Sequence, residues 1–152
     1  MSRERVAAIL IKDDEIALIE RYRLGRHYFV FPGGGIEAGE NFVEALEREM
    51  EEETGLRVTI ICKLVEIHFG LSTQHYFYVE RRAGEFGTGT GEEYTEADPD
   101  DPAQGVYIPV WMPLSELPEH DNVYPAEVAE LVARSVEGGW PTEPILVMES
   151  PR

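Results

Sequence analysis

The sequence has one cysteine, no long apolar run and few basic residues. The single cysteine, Cys62, excludes an internal disulfide and favours a reducing compartment, and its apolar surroundings predict an inert core residue. The longest apolar run, Val6 to Ile11, is far too short to span a membrane, and the N-terminus carries no signal-peptide apolar region. These absences predict a cytoplasmic protein without membrane contact.

The charge balance is strongly acidic. Thirteen Lys and Arg residues stand against thirty Asp and Glu residues, which gives a formal net charge of −17. We do not expect a DNA or RNA groove binder, because non-specific affinity for nucleic acid comes largely from basic side chains that neutralise phosphates. Acidity by itself indicates little more than solubility. A small phosphate-bearing ligand is compatible with this charge if a divalent cation accompanies it.

Hydrophobic patterning predicts a single α+β domain over residues 1–152, a layered sandwich with a mixed sheet. The polar segment 12–15 separates two apolar runs and indicates a hairpin. Helices are predicted at Asn41 to Thr54 and at about 125–137, where apolar residues recur at helical spacing. Residues 83–105 form an acidic, glycine-rich loop, either a functional lid or a mobile insertion. The tail from Gly138 is either poorly ordered or a short edge strand.

Three carboxylates cluster on the first predicted helix. Glu49, Glu52 and Glu53 are spaced i, i+3 and i+4, so all three project from one helix face. An acidic run is ordinarily a solvated face, but the apolar stripe that begins at Phe42 borders this one. Because Mg²⁺, Mn²⁺ and Ca²⁺ prefer several carboxylate oxygens, the alternative is a metal site that serves phosphate chemistry.

The segment from Gly34 to Leu56 carries a more specific pattern, GGIEAGENFVEALEREMEEETGL. Five residues separate Gly34 from Glu40, and seven more precede the run REMEEETGL. This spacing resembles the Nudix box at every defined position. The resemblance implies the Nudix fold, an α/β/α sandwich with a mixed β-sheet. It also implies metal-dependent hydrolysis of a phosphoanhydride bond in a nucleoside diphosphate linked to another group.

The resemblance further implies a metal shell. Its cation would be Mg²⁺, with Mn²⁺ as a substitute. The positions that match the family's metal-binding groups are Glu49, Glu52, Glu53, Glu40 and the backbone carbonyl of Gly33.

Catalytic roles follow from the same resemblance. Arg48 matches the arginine that orients the box glutamates by salt bridges. Glu49 is the first candidate for the group that activates water. In some family members the base lies on a later loop, and the candidates for it here are Glu92, Glu93 and Glu96.

Residues outside the box set the substrate. We expect a nucleoside triphosphate, ribo or deoxy, or a similar small nucleotide, because the motifs of several other Nudix groups are absent. Arg21, Arg23 and Arg26 are candidate substrate contacts, and the alternative for them is a solvated basic loop. Two other functions stay open: hydrolysis of a non-nucleotide diphosphate, and ligand binding by a catalytically silent Nudix fold. The resemblance to the Nudix family also implies a homodimer.

Overall fold

The computed structural model describes residues 3–89 and 105–149. Its strands are β1 (Arg3–Lys12), β2 (Glu15–Arg23), β3 (Arg26–Val30), β4 (Gly33–Gly35), β5 (Leu56–Phe69), β6 (Ser72–Gly84), β7 (Val106–Pro113), β8 (Val123–Tyr124) and β9 (Ile145–Glu149). Its α-helices are α1 (Phe42–Thr54) and α2 (Ala126–Gly138), and a 3₁₀ helix covers Leu117–Glu119.

The strands of the described residues form one mixed sheet. Its order is β8-β3-β2-β1-β6-β5-β9, with β4 paired to β1 and β7 paired to β2. The pairs β1 with β6, β3 with β8 and β5 with β9 are parallel, and the other pairs are antiparallel. The predicted mixed sheet is confirmed.

A cleft opens in the sheet because β1 and β2 separate soon after their turn. The two strands pair at Ile11 with Ile16 and at Lys12 with Glu15, as the predicted hairpin requires. Farther from the turn, β4 occupies the freed edge of β1, and β3 occupies the freed edge of β2. The two halves of the sheet therefore face each other across the cleft.

The two α-helices cover opposite faces of the sheet. In β1, Val6, Ala8 and Leu10 belong to the apolar core that includes α1 residues, whereas Ile9 belongs to the core that includes α2 residues. Successive side chains of a strand point to opposite faces. This arrangement is the α/β/α sandwich that the Nudix resemblance implies.

Local sequence explains where α1 begins and ends. Asn41 Oδ1 accepts a hydrogen bond from Glu44 N at 2.8 Å, and Glu44 Oε1 accepts one from Asn41 N at 3.0 Å, which completes a capping box. Gly55 ends the helix in the left-handed conformation with φ 82°. Leu46 and Met50 are fully buried and fix the inner face of the helix. The predicted helix is confirmed.

The alternative of a solvated basic loop is wrong for Arg21. The strand β2 continues to Arg23 and β3 begins at Arg26, so the turn consists of two residues. Arg21 lies inside the sheet and is 8% exposed. Burial of this arginine depends on neighbouring strands, which local polarity does not reveal.

The prediction of a buried Cys62 is also wrong, because the thiol side chain is exposed. Pairing of β5 with β6 shifts register between Ile60 and Cys62 and again between Lys63 and Val65. Such irregularities break the two-residue alternation that relates sequence to sheet face.

In the C-terminal part of the chain, the structure agrees with the predicted second helix and with one of the two alternatives for the tail. The predicted second helix is confirmed as α2, and the tail contains the edge strand β9. Residues 83–84 still belong to β6, and β7 begins at Val106. Residues 90–104, and with them Glu92, Glu93 and Glu96, lie outside the described residues.

Candidate active site

A pocket of about 380 Å³ lies in the cleft between the two halves of the sheet. One wall consists of β4 and the inner face of α1, with Gly33, Gly34, Glu49 and Glu53. The facing wall comes from β2, β3, β7 and β8 and contains Arg21 with several tyrosines. The pocket thus combines an acidic wall with a cationic, aromatic wall.

Glycine at position 34 allows α1 to approach β4 closely. A Cβ atom at this position would lie 2.5 Å from both Cδ and Oε1 of Glu49. No real Cβ contact is that short, so any side chain larger than hydrogen would displace the carboxylate. Pairing of Gly34 with Val6 holds this backbone against β1. Gly34 therefore determines how near the Glu49 carboxylate lies to the sheet.

Glu49 and Glu53 are buried acidic side chains, each 8% exposed. Their spacing of four residues places them one above the other on α1. Glu53 Oε2 accepts a hydrogen bond from Gly33 N at 3.0 Å, which joins the helix to β4. The two carboxylates line the same pocket wall and concentrate negative charge there.

Arg48 connects the helix to the loop that precedes it. Its Nε and Nη2 donate to the two Glu40 oxygens at 2.7 and 3.0 Å, a bidentate contact. Its Nη1 donates to Glu49 Oε1 at 2.9 Å and to Glu52 Oε2 at 3.1 Å, and Nη2 also donates to the Gly35 carbonyl at 3.0 Å. One guanidinium thus positions three carboxylates.

These contacts keep Arg48 and Glu40 charged. Hydrogen bonds from Arg48 lower the pKa of Glu40 below its usual range, with a backbone hydrogen bond from Glu37 as the next cause. Hydrogen bonding to Glu40 in turn raises the pKa of Arg48, against the opposing effect of partial burial. The guanidinium and the Glu40 carboxylate therefore remain an ion pair at neutral pH.

The acidic wall has the donor chemistry that a hard cation requires. Mg²⁺ is commonly held by one or two carboxylates together with water and substrate phosphate, and Glu49 and Glu53 supply two buried carboxylates. Within the described part of the chain, no three His, Cys, Asp or Glu side chains are arranged to hold one metal ion. Glu52 and Glu40 contact Arg48 and are absent from the described lining of the pocket. The residues present fit a cation with two direct carboxylate ligands.

The cationic wall is built by cross-strand pairing. Arg21 of β2 stands between Tyr28 of β3 and Tyr107 of β7, with which it is directly paired. The guanidinium carbon lies 3.6 Å from the centroid of the Tyr107 ring, and Arg21 Nε donates to the Val106 carbonyl at 3.2 Å. All three side chains line the pocket.

The three arginines predicted as candidate substrate contacts do not all lie at the pocket. Arg21 lines the pocket, whereas Arg23 and Arg26 are exposed at the β2–β3 turn and are absent from its described lining. Sequence reasoning missed the pocket-lining Arg5 and Tyr107. Arg5 pairs with Gly35 on one side and Gln74 on the other, so the signal that identifies it is strand register rather than any local motif.

The fold is thus an α/β/α sandwich with two buried carboxylates beside the glycine strand β4. Residues 1–132 match the family model of the NUDIX domain, and the chain belongs to the NUDIX family. The resemblance found in the box is thereby confirmed. Neither helix of the described residues has the length and apolar content to cross a membrane.

Several relatives match over most of the chain. The human 8-oxo-dGDP phosphatase NUDT18 is 33% identical over 129 residues, which is 82% of this chain and 37% of that protein. The putative mutator protein MutT4 of Mycobacterium tuberculosis is 31% identical over 150 residues, 90% of this chain and 55% of that protein. The chain thus spans about a third to a half of the length of these relatives.

Solved structures of NUDIX proteins share the fold. A NUDIX hydrolase from Nitrosomonas europaea superposes with a TM-score of 0.70 at 16% identity, covering 97% of this chain and 80% of that one. An ADP-ribose pyrophosphatase from Streptococcus suis gives a TM-score of 0.68 at 14% identity, covering 96% of this chain and 99% of that one. At these identities the likeness establishes the fold alone.

Proposed function

We propose that this protein is a divalent-metal-dependent pyrophosphohydrolase that cleaves a phosphoanhydride bond of a small nucleotide, with a nucleoside triphosphate as the first candidate. The observation that carries the proposal is the pair of buried carboxylates, Glu49 and Glu53, on one pocket wall of a NUDIX chain. The relatives' names support the nucleotide class, since they include an 8-oxo-dGDP phosphatase, an ADP-ribose pyrophosphatase and RNA pyrophosphohydrolases.

The acidic wall is the proposed metal site. Glu49 and Glu53 would hold Mg²⁺ or Mn²⁺ directly, and the further ligand candidates are Glu52, Glu40 and the Gly33 carbonyl. When bound, the cation neutralises phosphate charge and lowers the pKa of a coordinated water. It would also reconcile a protein of net charge −17 with a polyanionic substrate.

The chain's own residues supply positioning and proton transfer. Glu49 is the proposed general base, because its carboxylate lines the pocket and Arg48 fixes its Oε1 at 2.9 Å. The loop base candidates Glu92, Glu93 and Glu96 remain the alternative. Arg5 and Arg21 add positive charge to the same pocket, where it would balance the substrate's anionic groups.

The test is turnover against a panel of nucleotides and diphosphates with Mg²⁺ or Mn²⁺, with pyrophosphate and orthophosphate scored separately. Glu53→Gln is the blank. Glu51→Gln is the matched control, because this exposed glutamate of α1 is absent from the described pocket lining. Metal-dependent nucleotide turnover that the blank lacks and the control retains would support the proposal.

Two outcomes would replace the proposed function with another one. Turnover confined to sugar, isoprenoid or inositol diphosphates would establish a non-nucleotide diphosphate hydrolase. Metal binding by the folded protein, without turnover across the panel, would establish a catalytically silent binding module. The homodimer also stays a proposal, and light scattering at micromolar concentration would contradict it by giving a monomer mass.

A further inference from the structure

Arg21 is a buried cation with unused hydrogen-bonding capacity on the pocket wall. It is 8% exposed, and only its Nε has a hydrogen bond among the described residues, to the Val106 carbonyl. Its Nη2 has no hydrogen-bond partner there. Arg21 also takes part in none of the ion pairs found among these residues. Because a buried, unsatisfied donor costs free energy, an acceptor group on a ligand would stabilise this side chain.

The surroundings of Arg21 are aromatic. Its guanidinium carbon lies 3.6 Å from the Tyr107 ring centroid and 5.8 Å from that of Tyr28. The Tyr28 ring meets the Tyr124 ring edge to face at 6.2 Å, and all three tyrosines line the pocket. A guanidinium that stacks on a ring has its plane and its donor directions fixed. This wall therefore combines flat ring surfaces with a guanidinium whose donor directions are fixed.

We propose that Arg21 hydrogen-bonds the acceptor edge of the substrate's nucleobase, and that the preferred base is a 6-oxopurine, guanine or hypoxanthine. The inference rests on the proposed function, since it takes the substrate to be a nucleotide. The N7 and O6 atoms of a 6-oxopurine are adjacent acceptors that match a guanidinium in a bidentate contact. Adenine carries an amino donor at position 6, which would face the donors of Arg21.

A phosphate is the competing acceptor, and the division of the pocket argues against it. The acidic wall with Glu49 and Glu53 fits a cation-bound phosphate, and Arg5 lies beside it on β1, paired with Gly35. The wall around Arg21 also includes the apolar Ile19 and Val30. Flat bases stack on aromatic surfaces, whereas a hydrated phosphate gains nothing from them.

The experiment measures base preference with and without chemistry. Calorimetry gives the affinities of GMP, IMP and AMP for the protein with Mg²⁺, because these monophosphates have no phosphoanhydride bond to cleave, and steady-state kinetics with Mg²⁺ gives kcat/KM for GTP, ITP and ATP. We expect the wild type to favour the two 6-oxopurines over adenine at least about tenfold in affinity. Arg21→Gln and Arg21→Lys should both remove most of this preference, because lysine keeps the charge but lacks the planar fork.

The matched control is Arg57→Gln, an exposed arginine of β5 that is absent from the described pocket lining. This variant should keep the wild-type preference. If Arg21→Gln does not fold, as judged by circular dichroism, Arg21→Lys supplies the test. If neither folds, the wild-type ratio of GMP to AMP affinity decides.

Three results would overturn the inference: equal wild-type affinity for GMP and AMP, an unchanged preference in a folded Arg21 variant, or an equal loss for every nucleotide and for inorganic triphosphate. The last result would assign Arg21 to phosphate. Selective GMP and IMP binding without turnover would contradict the proposed function and leave this inference standing. Turnover without base preference would support the proposed function and contradict this inference.

Discussion

Gly34 lies against the carboxylate of Glu49 so closely that a Cβ atom at position 34 would stand 2.5 Å from Oε1 of Glu49. The contact joins the glycine strand β4 to the helix α1. The backbone at position 34 takes the place that a side chain would otherwise occupy. The location of the Glu49 carboxylate therefore depends on the absence of one methyl group.

Gly34→Ala should lower kcat/KM at least about tenfold, because the added methyl displaces a carboxylate that we place at the reacting centre. Gly35→Ala is the comparison, since a Cβ at that position would meet nothing within 4 Å. It should retain more activity than Gly34→Ala. Equal kcat/KM values for the two variants would show that the position of Glu49 does not limit turnover.

Glu53→Gln should lower kcat at least about a hundredfold, the order that loss of a charge-stabilising group reaches. Glu52→Gln should lower kcat by a smaller factor, because Glu52 contacts Arg48 and is absent from the described lining of the pocket. Glu51→Gln, at the exposed position directly before Glu52, should match the wild type. A Glu52→Gln loss as large as that of Glu53→Gln would place Glu52 directly at the metal.

Arg48→Lys should lower kcat/KM about tenfold or more, in the range found when groups that orient metal ligands are removed. Lysine cannot reproduce the bidentate contact with Glu40 while also reaching Glu49 and Glu52. The measurement is a titration of activity with Mg²⁺, in which the variant should need more metal. Arg82→Lys is the control, because this exposed arginine contacts only Glu47, at 3.7 Å, among the described ion pairs. An unchanged Mg²⁺ dependence for Arg48→Lys would contradict the positioning role.

Glu66 should make the free energy of unfolding depend on pH. A hydrogen bond from Lys63, followed by one with His68, lowers the pKa of Glu66 from 4.5 to about 2. Because the folded-state pKa is depressed, this stabilisation is present above pH 4.5 and is lost as pH falls from there toward 2. Urea midpoints at pH 5 and pH 3 should therefore differ more for the wild type than for Glu66→Gln.

Glu143→Gln is the control for that comparison. Glu143 is exposed, and its removal should leave the wild-type pH dependence intact. If Glu66→Gln and the wild type lost equal stability between pH 5 and pH 3, the ion pairs of Glu66 would not contribute to the pH dependence.

Asn41→Ala should destabilise the protein by about 1 kcal/mol, the usual cost of losing an N-cap. The side chain of Asn41 accepts the hydrogen bond from Glu44 N that begins α1. Urea unfolding followed by circular dichroism measures the change, and Asn41→Asp should restore most of the stability because aspartate also caps. A neutral alanine substitution would mean that packing of the inner face alone holds the first turn.

Much of the acidic wall is built from residues that are close together in the sequence, and the sequence predicts this part for that reason. The helix that carries Glu49 and Glu53 is specified by its cap, its apolar spacing and the glycine that ends it, all within neighbouring residues. The glycine strand lies just before it in sequence. The carboxylate cluster follows from helical geometry once the helix is given.

Other features required the tertiary structure. Tyr107 reaches Arg21 across a sequence separation of 86 residues, through antiparallel pairing of β7 with β2. The basic pattern around Arg21 predicts a solvated loop, and only the neighbouring strands bury it. The register shifts in β5 likewise turn Cys62 outward against its apolar sequence context.

The sequence by itself determined the family and the acidic helix, because the residues that specify both lie in one continuous segment, 34–56. The tertiary structure decided which of the clustered groups share the pocket. It placed Glu49 and Glu53 at the wall, turned Glu52 to Arg48, and buried Arg21 among tyrosines. Those outcomes depend on strand register and on the separation of β1 from β2, which bring together residues that are far apart along the chain.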